Sequence, residues 1–242
     1  MNILITNDDG YNSEGIRALF DGLSSKHNVF IVAPMEEKSA CSNAITIRND
    51  IIVDKIEDGI FSVNGFTADC VNVGLNSGII PPVDLVISGI NHGPNLGDDV
   101  HFSGTVAGAR TAYIFGVSGI AISLDCLETS SYFNEAARFL LGFIDTLKQH
   151  PGSDRYFFNI NYPDLPSPEI PGEKYTTLGR RRYNDSFTVD MLNDERMHLR
   201  MLGTIESDEI AGSDASELRN GYISITPLTI DATDYKYLEI SR

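Results

Sequence analysis

At 242 residues with 42% apolar content, the chain is long enough for one large α/β domain or two small ones, and it can bury a proper core. Its 34 acidic residues against 18 basic ones give a formal charge of −16, which argues against electrostatic binding to a nucleic acid polymer or an anionic membrane. Small anionic substrates stay open, because a bound metal reverses the local sign. Cys41, Cys70 and Cys126 are odd in number and widely spaced without a CxxC pair, so reduced thiols in a cytoplasmic protein are expected. The N-terminus lacks the basic and apolar regions of a signal peptide, and no apolar run approaches the ~20 residues of a transmembrane helix.

In chain order, Asn2 to Thr6 is a β-rich run stopped by the turn residues Asn7-Asp8-Asp9-Gly10. Ile16, Leu19, Phe20 and Leu23 then fall at helical spacing behind Ser13, a candidate N-cap. Asn28 to Ala33 is a second buried strand, halted by Pro34. Strand, helix and strand in this compass predict a right-handed βαβ unit and a parallel sheet. The polar segment from Met35 to Ala44 carries Ser39, Ser42 and Asn43 just past the second strand. Ile45–Arg48, Ile51–Asp54 and Gly59–Val63 read as strands of a meander, and a helix capped by Thr67 follows, closing at Gly78.

Asp84 to Ser88 is another apolar strand, and Asn91 to Ala109 is the stretch the chain is organised around. It is a polar, glycine-rich loop running from a strand's carboxyl end into a helix N-terminus. Open α/β sheets keep their ligands there, and free backbone N–H groups there favour phosphate. Val117–Ser123 is a further core strand, Tyr132–Leu147 an amphipathic helix, and Arg155–Asn161 another strand. The proline-rich run from Pro163 to Gly172 suggests that the compact unit ends nearby, giving a catalytic domain over 1–163. The remainder, 164–242, is expected to hold an extended arm from about 168 to 205, a basic cluster at Arg180–Arg182, an acidic helix-like stretch from Glu206 to Leu218, and a late strand at Gly221–Pro227.

Asp8 and Asp9 sit at the tip of the first strand. Adjacent carboxylates repel, so a pair held there suggests a cation beside it; the same tetrapeptide is also good Asx-turn chemistry. Ser39 and Asn91 follow the tips of two other parallel strands, and hard oxygen donors with two carboxylates suit Mg²⁺ or Mn²⁺. Ser103-Gly104-Thr105 at a helix start supplies hydroxyls and N–H groups of phosphate size, or simply a routine N-cap. Asp98 and Asp99 could be ligands but read more simply as a solvated turn; His92 and His101 lie near the loop and could orient a leaving group, though nothing pairs them with a carboxylate; the arginine cluster could reach a phosphate or base, or be a surface charge cluster or subunit contact.

Taken together, I-L-I-T-N-D-D-G, then V-A-P with K-S-A-C-S-N-A-I-T, T-A-D-C-V, V-I-S-G-I-N-H-G-P-N-L-G-D-D-V and F-S-G-T-V-A-G-A resemble the SurE family of stationary-phase survival nucleotidases. R-R-R-Y-N-D and G-Y-I-S-I-T-P extend the match through most of the chain. The resemblance implies a metal-dependent phosphomonoesterase in which a metal-activated water attacks nucleoside 5′- or 3′-monophosphates. It implies one divalent ion on Asp8, Asp9, Ser39 and Asn91, with Asp8 and Asp9 catalytic, and a phosphate near Asn95, Ser103, Gly104 and Thr105. It further implies a Rossmann-like, doubly wound, mostly parallel sheet with a protruding β-rich arm and an exchanged C-terminal segment, assembling as a homodimer or homotetramer. One departure is Ala40-Cys41, where some relatives have glycine. Three other readings compete: a receiver-like signalling module, a phosphatase with a nucleophilic aspartate, and a catalytically silent binding protein. A receiver wants an aspartate where Ser88-Gly89-Ile90-Asn91 stands, and the nucleophilic phosphatase wants Asp-x-Asp where this chain has adjacent aspartates.

Overall fold

The computed structural model describes residues 1–126, 130–147, 155–193 and 195–240. Its first half alternates strand and helix: β1 (Asn2–Thr6), α1 (Glu14–Ser24), β2 (Asn28–Pro34), the hairpin β3 (Val53–Glu57) and β4 (Ile60–Val63), α2 (Thr67–Asn76), β5 (Leu85–His92) and α3 (Gly104–Ile114). Next come β6 (Ser118–Leu124), α4 (Phe133–Leu147), β7 (Phe157–Tyr162), β8 (Glu173–Tyr175), the long pair β9 (Arg181–Asn193) and β10 (Arg196–Ser207), α5 (Asp214–Arg219), β11 (Ile223–Pro227) and α6 (Tyr235–Ile240). The main sheet has nine strands in the order β3-β4-β2-β1-β5-β6-β7-β11-β8. Strands β4 through β7 run parallel, whereas β3 and β11 pair antiparallel to β4 and β7. The sheet is therefore mostly parallel and doubly wound, as expected.

Side-chain alternation along β1 divides the core. Ile3 and Ile5 face α1 and α4, packing with Ile16, Leu19, Leu140 and Ile144, while Leu4 faces the α2 side with Val71, Val86 and Ala112. A strand buried on both faces must be apolar throughout, which is why this strand reads as a continuous run instead of an alternating one. The chain leaves β1 towards β2 and later returns to β1's other side as β5, so the winding reverses between β1 and β5. Ligands of doubly wound sheets bind in the crevice that this reversal opens at the strands' carboxyl ends. Gly15 lets α1 approach it: a Cβ there would lie 1.9 Å from the Ile90 carbonyl oxygen.

Local expectations met three corrections. Ile45–Arg48 forms no strand, because Asp69 takes its polar groups instead, accepting the Thr46 N–H and hydroxyl at 2.8 Å each. Thr67 opens α2 but does not cap it; its hydroxyl donates to the Asn7 carbonyl at 3.0 Å, and the Asp69 carboxylate accepts the Phe66 N–H at 2.9 Å. The stretch read as an acidic helix is β10 up to Ser207, paired to Arg181, followed by the short α5 behind a Ser213 cap.

Strands β9 and β10 pair only with each other, a hairpin standing off the main sheet. Phe187, Val189, Met191, Met197, Leu199 and Met201 are all exposed on it. Chain from both sides of the hairpin returns to the sheet: β11 lies between β7 and β8. After Leu228, whose N–H donates to the Phe157 carbonyl, residues 229–238 are exposed. Among the described residues no helix is long and apolar enough to cross a membrane.

Candidate active site

Asn7 shapes the turn after β1. Its side-chain amide donates to the Gly10 carbonyl at 2.9 Å and to the Ser13 hydroxyl at 2.7 Å, while Gly10, with φ +103°, donates back to the Asn7 oxygen. That turn puts Asp8 on the wall of the crevice with Asp9 behind it. Asp8 is 4% exposed and accepts a hydrogen bond from the Thr105 hydroxyl. Burial raises its pKa in spite of that bond. Asp9 is pushed up to about 7, first by burial, then by the carboxylates of Asp8 and Glu37. Its Oδ2 is buried with no hydrogen-bond partner, and His92 Nδ1 stands 3.9 Å away. Among the described residues no lysine or arginine pairs with either carboxylate. Two adjacent acids, one buried and one partly buried, without a lysine or arginine beside them are destabilising as they stand.

The other predicted residues converge on the same place. Asp8, Ser39, Asn91, Asn95 and Ser103 line the polar end of a cleft of about 560 Å³. Asp9, Gly104 and Thr105 do not line it and stand behind it. Ser39 rides on a loop anchored by the Lys38 N–H, which donates to the Asp8 carbonyl at 2.7 Å; its hydroxyl donates to Glu37. The Asn91 amide nitrogen is committed to the carbonyls of His92 and Gly93, so its oxygen is the atom left for a ligand. Ser103 caps α3 by accepting the Val106 N–H at 3.0 Å. Gly104 is dictated by distance: a Cβ there would meet the Asp8 carboxylate at 2.7 Å. Thr105, fully buried, spends its hydroxyl on Asp8.

Two sets of residues escaped the sequence reading. Asn159 and Asn161 on β7 both donate to the Asn95 carbonyl, Asn161 accepts the Asn95 N–H at 2.8 Å, and Ser123 on β6 accepts the Asn95 side-chain amide at 2.8 Å. Their signal was the polar residues interrupting otherwise apolar strands at the sheet's carboxyl end. The second set is a latch. Asp99, read as a solvated turn, accepts from Arg181 Nε at 3.0 Å and from the Tyr183 hydroxyl at 2.6 Å; Asp98 accepts the Arg181 N–H at 2.9 Å. The latch fastens the root of the β9–β10 hairpin to the loop leading into α3. The His92 ring packs tilted, at 55°, against Phe133 with centroids 4.7 Å apart, and His101 offers its carbonyl to the Ser42 hydroxyl.

The family model described as survival protein SurE matches residues 3–185. The chain belongs to the SurE family. Curated SurE relatives are close in length. A protein of Geotalea uraniireducens named 5′-nucleotidase SurE is 38% identical over 98% of this chain and 96% of its own. Another of that name, from Pseudoalteromonas atlantica, is 39% identical over 100% and 98%. The crystal structure of the SurE protein from Aquifex aeolicus superposes with a TM-score of 0.84 at 34% identity, covering 99% of this chain and 98% of that one.

The SurE crevice of this chain suits a hard cation. Among the described residues no three His, Cys, Asp or Glu side chains stand together as a ready-made metal cage. Two carboxylates, one with an orphaned buried oxygen, plus neutral hydroxyl and amide oxygens are instead a donor set for an ion that keeps some of its water, such as Mg²⁺ or Mn²⁺.

Proposed function

We propose that this chain is a metal-dependent phosphomonoesterase that hydrolyses nucleoside 5′- and 3′-monophosphates to nucleoside and phosphate. The observation that carries the reading is the Asp8–Asp9 pair at the winding reversal, Asp8 buried and Asp9 Oδ2 buried and unpartnered, in a chain whose relatives are named 5′-nucleotidase. Asp8, Asp9, Ser39 and the Asn91 oxygen would hold one divalent ion. When bound, such an ion supplies charge neutralisation for the phosphate and a lowered pKa for water.

The protein's own groups do the rest. Asp9, directly behind Asp8, would accept a proton from the attacking water, and Asp8 is held in place by the Thr105 hydroxyl. The Ser103 hydroxyl, the N-terminus of α3 and Asn95 receive the phosphate oxygens where charge develops. Gly104 is what permits α3 to come so close. The exposed apolar hairpin and the exposed residues 229–238 support a homodimer or homotetramer built by residues 164–242, one copy exchanging its end with another.

Phosphate release from a panel of nucleoside 5′- and 3′-monophosphates, metal-free and with Mg²⁺ or Mn²⁺, tests the reaction. Release that needs metal supports it. Folded protein that releases no phosphate with either ion overturns it. Light scattering of the purified chain tests the assembly.

A further inference from the structure

Asp214 is a fully buried carboxylate that the chemistry at Asp8 does not use. It opens α5, yet the residue that caps this helix is Ser213, whose hydroxyl accepts the Ser216 N–H at 3.2 Å. The Asp214 oxygens reach beyond their own helix. Oδ2 accepts the Gly97 N–H at 2.8 Å, and Oδ1 accepts the N–H groups of Gly179 and Ala215, each at 2.8 Å. Gly97 is 117 residues away in the chain and Gly179 is 35, so one carboxylate joins three segments. The carboxylate is itself held in place. The Asp214 N–H donates to the Thr177 carbonyl at 2.9 Å, and the Thr177 N–H donates to the Gly212 carbonyl at 3.1 Å. Bonds from N–H groups to an ionised acceptor are among the stronger ones in a protein.

The joint is close-packed. Gly97 has φ +51°, and a Cβ on it would lie 2.9 Å from the Gly179 carbonyl; a Cβ on Gly179 would meet Asp214 Oδ1 at 3.1 Å. Beside the joint, Leu96 packs on Ala215 and Leu218. What hangs from it is the phosphate end of the cleft. Asn95 stands two residues before Gly97, and the single turn Gly97–His101 leads on to Ser103. Asn95 is tied to β6 and β7, and Ser103 to the first turn of α3. We propose that Asp214 is a positioning residue for the reaction: by holding the Gly97 and Gly179 N–H groups together, it fixes the turn that links Asn95 to Ser103. The inference rests on the phosphomonoesterase reading of those two groups, and its test can fail apart from that reading.

Asp214→Asn keeps the size of the side chain but turns one acceptor into an NH₂ group that faces an N–H. In the metal-supplemented full chain it is expected to lower kcat for AMP about tenfold with KM little changed. Hydrogen exchange of the amides from Leu96 to Phe102 should quicken, while that of β1 and α1 should not. Phe143→Leu, on α4 across the sheet, is the control for stability alone; it should lower the melting temperature and leave kcat and KM unchanged. If Asp214 acts through Asn95, adding Asp214→Asn to Asn95→Ala should cost less than about twofold more. The proposal is overturned if Asp214→Asn behaves like Phe143→Leu, if the Asp214 and Asn95 effects on kcat multiply in full, or if exchange from Leu96 to Phe102 is unchanged. Should Asp214→Asn fail to fold, Gly97→Ala strains the same joint from the other side, and a normal kcat there overturns the proposal equally. Wild-type protein that released no phosphate would sink the phosphomonoesterase reading, and hydrogen exchange would then decide by itself whether Asp214 holds the turn.

Discussion

The crevice at the β1–β5 reversal and the β9–β10 hairpin are built on opposite terms. In the crevice, Asn7, Asn95 and Thr105 are buried and each has its polar groups bonded to residues on other elements. The hairpin bonds to itself, carries its apolar side chains in the open, and touches the crevice through one latch at its root. A rigid, pre-organised floor suits positions that must hold charge within a fraction of an ångström. A self-paired ribbon can vary at its faces without disturbing that floor. If the crevice carries the proposed chemistry, substitutions on each side should fail in different ways.

The largest failures belong to the crevice. Asp8→Asn and Asp9→Asn are each expected to lower kcat/KM about 10²–10⁴-fold while the fold persists, as circular dichroism would show; near-normal turnover in either would remove the carboxylates from the mechanism. Stability should move the other way. The Asp9 pKa is raised from 3.8 to about 7, so the folded state binds the proton more tightly than the unfolded one. Metal-free protein should therefore lose stability as pH rises from about 4 to about 7, by on the order of 1–4 kcal/mol. Asp9→Asn should flatten that slope, and added Mg²⁺ or Mn²⁺ should offset it in the wild type only. Melting curves at several pH values decide this.

One step outward, Asn161→Ala leaves the Asn95 N–H without its acceptor and one donor fewer on its carbonyl. A buried N–H left unpaired costs about 1–3 kcal/mol. Asn95 should then wander, and kcat should fall roughly tenfold with KM little changed. At the hairpin root the expected signature is different. Asp99→Ala removes the acceptor for both Arg181 and Tyr183, whose partners are largely buried. Here KM for a nucleotide should rise several-fold, kcat should hold, and proteolysis within residues 181–207 should quicken. If Asp99→Ala instead abolished kcat, the division between floor and arm would be wrong.

The same contrast explains what could be read from residues alone. The strands of the floor were legible because burial on both faces forces β1, β5 and β6 into apolar runs, whereas Asn7-Asp8-Asp9-Gly10 by itself read equally as a cation pair or as an Asx turn. The strand limits around Ile45 were not legible, since Asp69, 23 residues further on, supplies the acceptors that a neighbouring strand would otherwise provide. Asp99 looked like a turn for a similar reason. Its partners, Arg181 and Tyr183, lie 82 and 84 residues away, and no local pattern announces them.

The smallest effect concerns the loop that joins the two regimes. Ala40 has φ +56° and Ser42 φ +50°, a left-handed region that costs a non-glycine residue roughly 1–2 kcal/mol. The loop keeps this shape because it is pinned at both ends, by the Lys38 N–H on the Asp8 carbonyl and by Ser42, whose N–H and hydroxyl donate to the carbonyls of Phe102 and His101. Ala40→Gly would relieve the strain, yet glycine also gains freedom in the unfolded chain, about 0.4–1 kcal/mol in the opposite direction. The two nearly cancel, so the melting temperature should shift by no more than about 4 °C, with activity retained. Ala40→Val has no such compensation. A β-branched side chain at that φ should destabilise the fold by about 1–3 kcal/mol and displace Ser39, lowering kcat with it. Should Val be as well tolerated as Gly in both melting and turnover, Ser39 owes its position to something other than the strained backbone beside it.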